Sequence, residues 1–246
     1  MTSLRIAAAA AALATLGSAF AGSAVSAGEA RAPVVVELFT SQGCSSCPPA
    51  DAFLGELARR EDVIALAFHV DYWDYIGWKD PFAHPDFTRR QRGYAGALDL
   101  RTVYTPQMVI DGRVDAIGSD RVRVAEMIRR AGELPKLTVA LTAAGDAHEL
   151  QLPEARLESP ATIWLAIFDR EERTQVKRGE NAGRHLTDYN IVRELRKLAS
   201  WDGRAQRLRL DLADGMAEGL GCAILVQGAD QGPILAALAV PASARR

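Results

Sequence analysis

Cysteine is scarce in this chain: three in 246 residues, at positions 44, 47 and 222. That allows one disulfide and leaves one thiol over, and a chain this long does not need a disulfide to hold its core together, which sets it apart from small stapled domains. A second CxxC that would complete a zinc site is missing. So are the GxSxG, HExxH, Walker and Rossmann patterns, and with them the usual signatures of serine hydrolases, zinc proteases, nucleotide hydrolases and dinucleotide enzymes. An excess of one charge is also missing: 29 Lys+Arg stand against 31 Asp+Glu, a formal net charge of −2. Such a chain has no basic field to attract nucleic acid or an anionic membrane surface. What it does have is apolar substance, 48% hydrophobic residues, enough for a sizeable core in one large domain or two small ones.

Residues 1–27 read as a secretory signal peptide: one basic residue, Arg5, an alanine- and leucine-rich stretch, then small residues with Val25 and Ala27 placed for cleavage. Gly17 and Gly22 break the apolar stretch and no basic stop-transfer flank follows, so no stable membrane anchor is expected. The expected location is periplasmic or secreted, an oxidising setting in which cysteine chemistry matters.

The cysteine pair sits in "VVVELFTSQGCSSCPPAD", Val34 to Asp51. Val34 to Thr40 reads as a buried strand, and "PPADAFLGELARR" keeps Phe53, Leu54, Leu57 and Ala58 at helical spacing, with Pro48 and Pro49 suited only to a first turn. Val63 to Val70 is a second buried strand, so strand, helix and strand make a parallel βαβ unit. An aromatic loop, "DYWDYIGWKDPFAHP", leads to a helix expected from about Pro85 to Leu98. In "TPQMVIDGRVDAIGS" the Asp111-Gly112 pair between apolar runs signals a hairpin, and Ser119 or Asp120 can cap a helix ending at Gly132.

Cys44 and Cys47 admit three readings: a working dithiol, half of a metal site, or a structural staple. A four-residue loop constrains an unfolded chain weakly, which disfavours the staple. At a helix N-terminus, unpaired N–H groups and the helix dipole favour thiolate over thiol. Cys44 is then the exposed nucleophile and Cys47 resolves the mixed disulfide. Ser45 and Ser46 either hydrogen-bond the thiolate or cap the helix.

The order β-α-β-α-β-β-α, with cysteines at the first βα junction, is similar to a minimal thioredoxin-like arrangement over residues 33–132. The motifs "ELFTSQGCSSCPPAD" and "TPQMVIDG" resemble an uncharacterised bacterial family of secreted thioredoxin-like proteins, domain of unknown function 1223, across the whole mature chain. The resemblance implies that Thr105-Pro106 is a cis pair lying against the cysteines, with Pro106 part of the catalytic set and Thr105 in contact with substrate. It also implies that Glu37, an acid in the first strand, moves the proton of the inner cysteine; a buried carboxylate there is costly unless paired or protonated.

Ligands gather at the carboxyl ends of parallel strands, which puts His69, Asp71 and the aromatics Tyr72, Trp73, Tyr75 and Trp78 on the Cys44 side. Trp73 and His69 are therefore candidate substrate contacts, and the aromatic loop is one wall of a groove for a protein or peptide thiol.

After Pro135 the pattern changes to short strands: "KLTVALTA", "HELQL", "TIWLAIF", "RLRLDL" and "CAILVQ". Lys136 to about Pro241 reads as a mainly β, sandwich-like domain, with "YNIVRELRKL" either strand or short helix. Cys222 falls in an apolar run and reads as an inert core residue. The polar cluster "KRGENAGRHLTDYN", Lys177 to Asn190, reads as a glycine-rich hairpin or domain-contact loop with no chemistry that its residues name.

Three functions fit. The favoured one is an α/β thiol-disulfide oxidoreductase using Cys44 and Cys47 on protein or small thiols, with no dissociable cofactor and a periplasmic redox partner. The second is a soft-metal carrier of the copper type, with Cys44, Cys47 and His69 as ligands. The third is a binding module with a structural disulfide. A Cys44–His69 hydrolase is disfavoured, because no third group is evident to orient the histidine.

Overall fold

The computed structural model describes residues 32–240 apart from positions 146, 214 and 216, so the expected signal peptide lies outside the described residues. The chain runs β1 (Val34–Thr40), α1 (Pro48–Leu57), β2 (Val63–His69), a 3₁₀ turn (Asp71–Ile76), α2 (Pro85–Ala97), β3 (Gln107–Ile110), β4 (Val114–Ile117) and α3 (Arg121–Glu133). It continues through β5 (Ala140–Ala144), β6 (Ala147–Leu152), β7 (Ala161–Gln175), β8 (His185–Trp201), β9 (Gln206–Leu210), β10 (Leu220–Gln227) and β11 (Ile234–Val240).

Eight of these strands form one mixed sheet in the order β11-β10-β7-β8-β2-β1-β3-β4, and β5-β6-β9 form a small second sheet. This corrects the expected fold class of a thioredoxin-like α/β domain followed by a separate sandwich-like domain. The protein is mostly sheet with few helices, and strands from both halves of the sequence share the large sheet. The physical reason lies in β2. All seven of its residues are buried, so neither edge faces water, and each needs a hydrogen-bonding partner. β1 pairs one edge in parallel over the whole strand, while β8 joins the other in parallel at Ala67 and Ile191.

Alternation along the strands divides the core. On one face of the first half, Val34, Val36, Leu38, Ala65 and Ala67 pack beneath α1 and α3 with Phe53, Leu54 and Ile128. On the other, Val35, Phe39, Leu66 and Phe68 meet Phe87 and Tyr94 of α2 together with Ala166, Val192 and Leu225 from the second half. Burying a Leu or Phe side chain is worth about 1.5–3 kcal/mol, so this shared layer ties the two halves together. The small sheet adds Leu150, Leu152 and Leu210 against Ile163, Leu165 and Ile224.

Local signals account for the element ends. Pro48 and Pro49 open α1, Asp120 caps α3 by accepting from the Arg123 N–H, and Asp111 and Gly112 turn the β3–β4 hairpin with φ of 49° and 63°. The stretch "YNIVRELRKL" is strand, inside the 17-residue β8.

Candidate functional site around Cys44 and Cys47

β1 and β2 end side by side, with Thr40 and His69 in register. From Thr40 the chain turns through Ser41–Gly43 into a second tight turn in which the Cys47 N–H donates to the Cys44 carbonyl at 3.2 Å. Cys44 and Cys47 are joined as a disulfide, with Cα atoms 5.4 Å apart.

Cys47, not Cys44, is the N-cap of α1, and the Ala50 and Asp51 N–H groups donate to its carbonyl at 2.8 and 3.1 Å. Pro48 and Pro49 have no N–H to offer a thiolate, so this helix start is poorer in anion-stabilising donors than the cysteine spacing suggests. The serines do not cap the helix either. Ser46 Oγ lies 3.3 Å from Cys44 Sγ and reaches the Thr105 carbonyl at 3.5 Å. The expected exposed nucleophile is also corrected: Cys44 is 1% exposed and Cys47 fully buried.

The Thr105–Pro106 peptide is cis. Thr105 Oγ1 accepts from the Trp73 indole at 2.7 Å, and Pro106 shares Gly118 as a neighbour with Ala50 of α1. Trp73 and Thr105 thus contact one another beside the cysteine turn. His69 does not face a groove: it is 1% exposed, and its Nδ1 pairs with Asp80 Oδ2 at 2.8 Å.

Behind the disulfide lies a buried polar cluster drawn from five segments. Asp51 of α1 accepts from the Thr40 hydroxyl at 2.7 Å. Gln42 donates its N–H to Asp80 and its side-chain amide to Asp188 of β8, both at 2.8 Å, and accepts from the Trp78 indole at 3.1 Å. Burial, then the charge of Asp188, raises the Asp51 carboxyl well above the usual carboxylate range, with Thr40 and His69 opposing. Burial raises Asp188 as well. Burial alone would favour a neutral His69, but the Asp80 charge and hydrogen bond, aided by Asp188 and Asp51, lift it to about 9. The same pairing, with the Gln42 and Phe82 N–H groups, overcomes burial at Asp80 and lowers it. The cluster therefore favours the charged forms of the paired His69 and Asp80 and the protonated forms of Asp51 and Asp188. A cavity of about 320 Å³ lies between the start of α1 and β8, lined by Pro48, Asp51, His185, Thr187 and Tyr189.

Glu37 lies elsewhere. Side chains alternate along β1, so Glu37 points with Val35 and Phe39 to the α2 face, away from α1. There it takes a two-pronged ion pair from Arg90 at 2.5 and 2.9 Å and a hydrogen bond from Tyr94 at 2.5 Å. The alternative metal set is not assembled: the sulfurs of Cys44 and Cys47 are bonded to each other and His69 Nδ1 is engaged. Among the described residues, no group of three or more His, Cys, Asp or Glu is placed to hold a metal ion.

The family model described as "Protein of unknown function (DUF1223)" matches residues 35–227. The chain belongs to the DUF1223 family. It is similar to the crystal structure of protein AGR_C_4864 from Agrobacterium tumefaciens, with 32% identity and a TM-score of 0.76, over 89% of this chain and 98% of that one. HBP35 of Porphyromonas gingivalis is similar in fold, with 14% identity and a TM-score of 0.56, over 88% of this chain and 79% of that one. None of the curated proteins matches. The DUF1223 match spans every part of the site, from β1 to the start of β8, so cysteine turn and buried cluster belong to one family unit.

Sequence reasoning overlooked Asp51, Asp80, Asp188, Gln42, Glu180 and Asn181. Asp51 had a signal: it follows Cys47 by four residues, one helical turn, among the apolar positions Ala50, Phe53 and Leu54. Glu180, Asn181 and Asp188 all lie in the polar stretch 177–190, whose composition stood out without naming a role.

Proposed function

We propose that this DUF1223 protein is an exported thiol-disulfide oxidoreductase that acts through Cys44 and Cys47 on protein or small thiols. The observation that carries the reading is the Cys44–Cys47 disulfide followed one helical turn later by Asp51, a buried carboxyl that accepts the Thr40 hydroxyl and whose burial favours the protonated form. A staple has no use for such a group, whose burial is costly.

In the oxidising direction, local opening of the turn that buries Cys44 admits a client thiolate, which attacks Cys44 Sγ; the Cys44–Cys47 bond breaks, and Cys47 leaves as a thiolate that takes the Asp51 proton. A second client thiolate attacks the client sulfur of the mixed disulfide and releases Cys44. Two client thiols become one disulfide, and two electrons reduce the pair. Asp51 regains its proton through the cavity beside His185. Run backwards, the same steps reduce a client disulfide. Residues 1–27 support export, and the N-terminus of the protein recovered from its native cell is expected at Gly28.

The test is the reduction potential of the pair, read by thiol alkylation and mass after equilibration in glutathione buffers. Working dithiols span about −270 to −120 mV, and a value there supports the reading. A value well below about −300 mV marks a structural bond and overturns it.

A further inference from the structure

The β7–β8 connection is folded on itself before it reaches the site. Gly179 and Gly183 take left-handed φ of 77° and 82°. The Gly183 N–H donates to the Val176 carbonyl at 2.9 Å and the Val176 N–H to the Arg184 carbonyl at 3.0 Å. This closed loop presents two consecutive side chains to the cysteine turn from the far half of the sequence. Asn181, 1% exposed, donates its amide to the carbonyls of Gln42 and of Cys44, both at 2.9 Å. Glu180 Oε2 accepts the Ser45 N–H at 3.3 Å.

Both contacts bear on sulfur chemistry. Asn181 grips two carbonyls two residues apart, which holds the backbone that carries Cys44 in one conformation. Among the described residues its own buried Oδ1 has no hydrogen-bond partner, so the amide is placed for its two donated bonds. The Ser45 N–H follows Cys44 directly in the turn, where the Ser46 hydroxyl also lies 3.3 Å from Cys44 Sγ, and Glu180 already occupies that N–H with a negative charge. A thiolate on Cys44 would compete for that donor and be repelled by that charge.

We propose that Asn181 and Glu180 are positioning residues of the dithiol: Asn181 holds the Cys44 backbone, and Glu180 restrains Cys44 from forming a thiolate. This rests on the oxidoreductase reading. The groups facing the cysteine turn are Glu180 from the β7–β8 loop, Asp51 from α1, Asp188 from β8, and Asp80 with His69 beyond Gln42, so Glu180 is the charge that can be altered without disturbing the buried cluster.

The experiment reduces wild type, Glu180→Gln and Asn181→Ala with a phosphine and follows Cys44 alkylation by iodoacetamide against pH. Disulfide reduction by dithiothreitol is timed in parallel. Glu180→Gln keeps the acceptor shape and is expected to move the alkylation midpoint to lower pH, with about a threefold faster rate at pH 7. An unmoved midpoint overturns the role of Glu180. Asn181→Ala is expected to speed disulfide reduction on the order of tenfold. An unchanged rate in a folded variant overturns the role of Asn181, and if that variant does not fold, the milder Asn181→Ser is timed in its place with the same two outcomes. If wild type stays oxidised in every glutathione buffer, the oxidoreductase reading falls, yet the alkylation profile still judges Glu180 and the dithiothreitol rate still judges Asn181.

Discussion

The carboxyl of Asp51 takes the Thr40 hydroxyl at 2.7 Å, one helical turn beyond the disulfide-bonded Cys47. Burial raises that carboxyl well above the usual carboxylate range, which places a group suited to hold a proton on the helix that starts at Cys47.

Asp51→Asn therefore keeps the shape and the contact to Thr40 but cannot supply a proton. Reduction by a thiol at pH 7 is expected to slow by about 100-fold, the lower end of general acid–base effects. Stopped-flow tryptophan fluorescence would read it, and an unaltered rate would remove Asp51 from the mechanism.

Cys47→Ser leaves Cys44 without its resolving partner. It should accumulate mixed disulfides with client thiols that Cys44→Ser cannot form, seen as thiol-sensitive bands on non-reducing gels. Equal trapping by both variants would refute the assigned order of the two cysteines.

Glu37 and Arg90 give the contrasting case. Arg90→Ala leaves a buried carboxylate without its partner and is expected to cost about 3–5 kcal/mol of stability, measured by urea unfolding. Glu37→Gln should leave the exchange rate of the folded protein within about twofold, because its side chain faces α2 rather than the sulfurs. A loss as large as that of Asp51→Asn would restore Glu37 to the site.

The buried cluster makes stability fall on the alkaline side. His69 is held at about 9 in the folded chain against an ordinary 6.5, so the folded state binds an extra proton between those values. Its contribution is full below pH 6.5 and lost as pH rises through 9. The raised Asp51 and Asp188 act with the same sign from the usual carboxylate range upward, whereas the lowered Asp80 adds stability that is lost on acidification. Thermal unfolding of the oxidised protein should drop by several degrees from pH 6.5 to 9; a flat or rising profile would contradict the ionisation states assigned here.

Gly55 lets α1 approach β8, since a Cβ built there would collide with the Tyr189 ring. Gly55→Ala gains about 1 kcal/mol of helix propensity but overpacks the contact by about 1–3 kcal/mol. A lower melting temperature is expected, with recovery in the Gly55→Ala, Tyr189→Ala double variant.

Much of this was legible along the chain. Cys44 and Cys47 sit at a strand-to-helix junction because apolar run, cysteine turn and double proline are adjacent signals, and the Asp111-Gly112 hairpin and the Asp120 cap are equally local. An acid in a buried strand, as at Glu37, is visible in sequence, whereas the face it points to depends on which helix covers that face. The sequence alone determined where the cysteines lie and which segments could be strands. Only the tertiary structure decided that β8 joins β2 more than 100 residues away. That pairing is selected by the burial of both edges of β2, a condition no local pattern states. It brings Asp188, Glu180 and Asn181 to the sulfur turn.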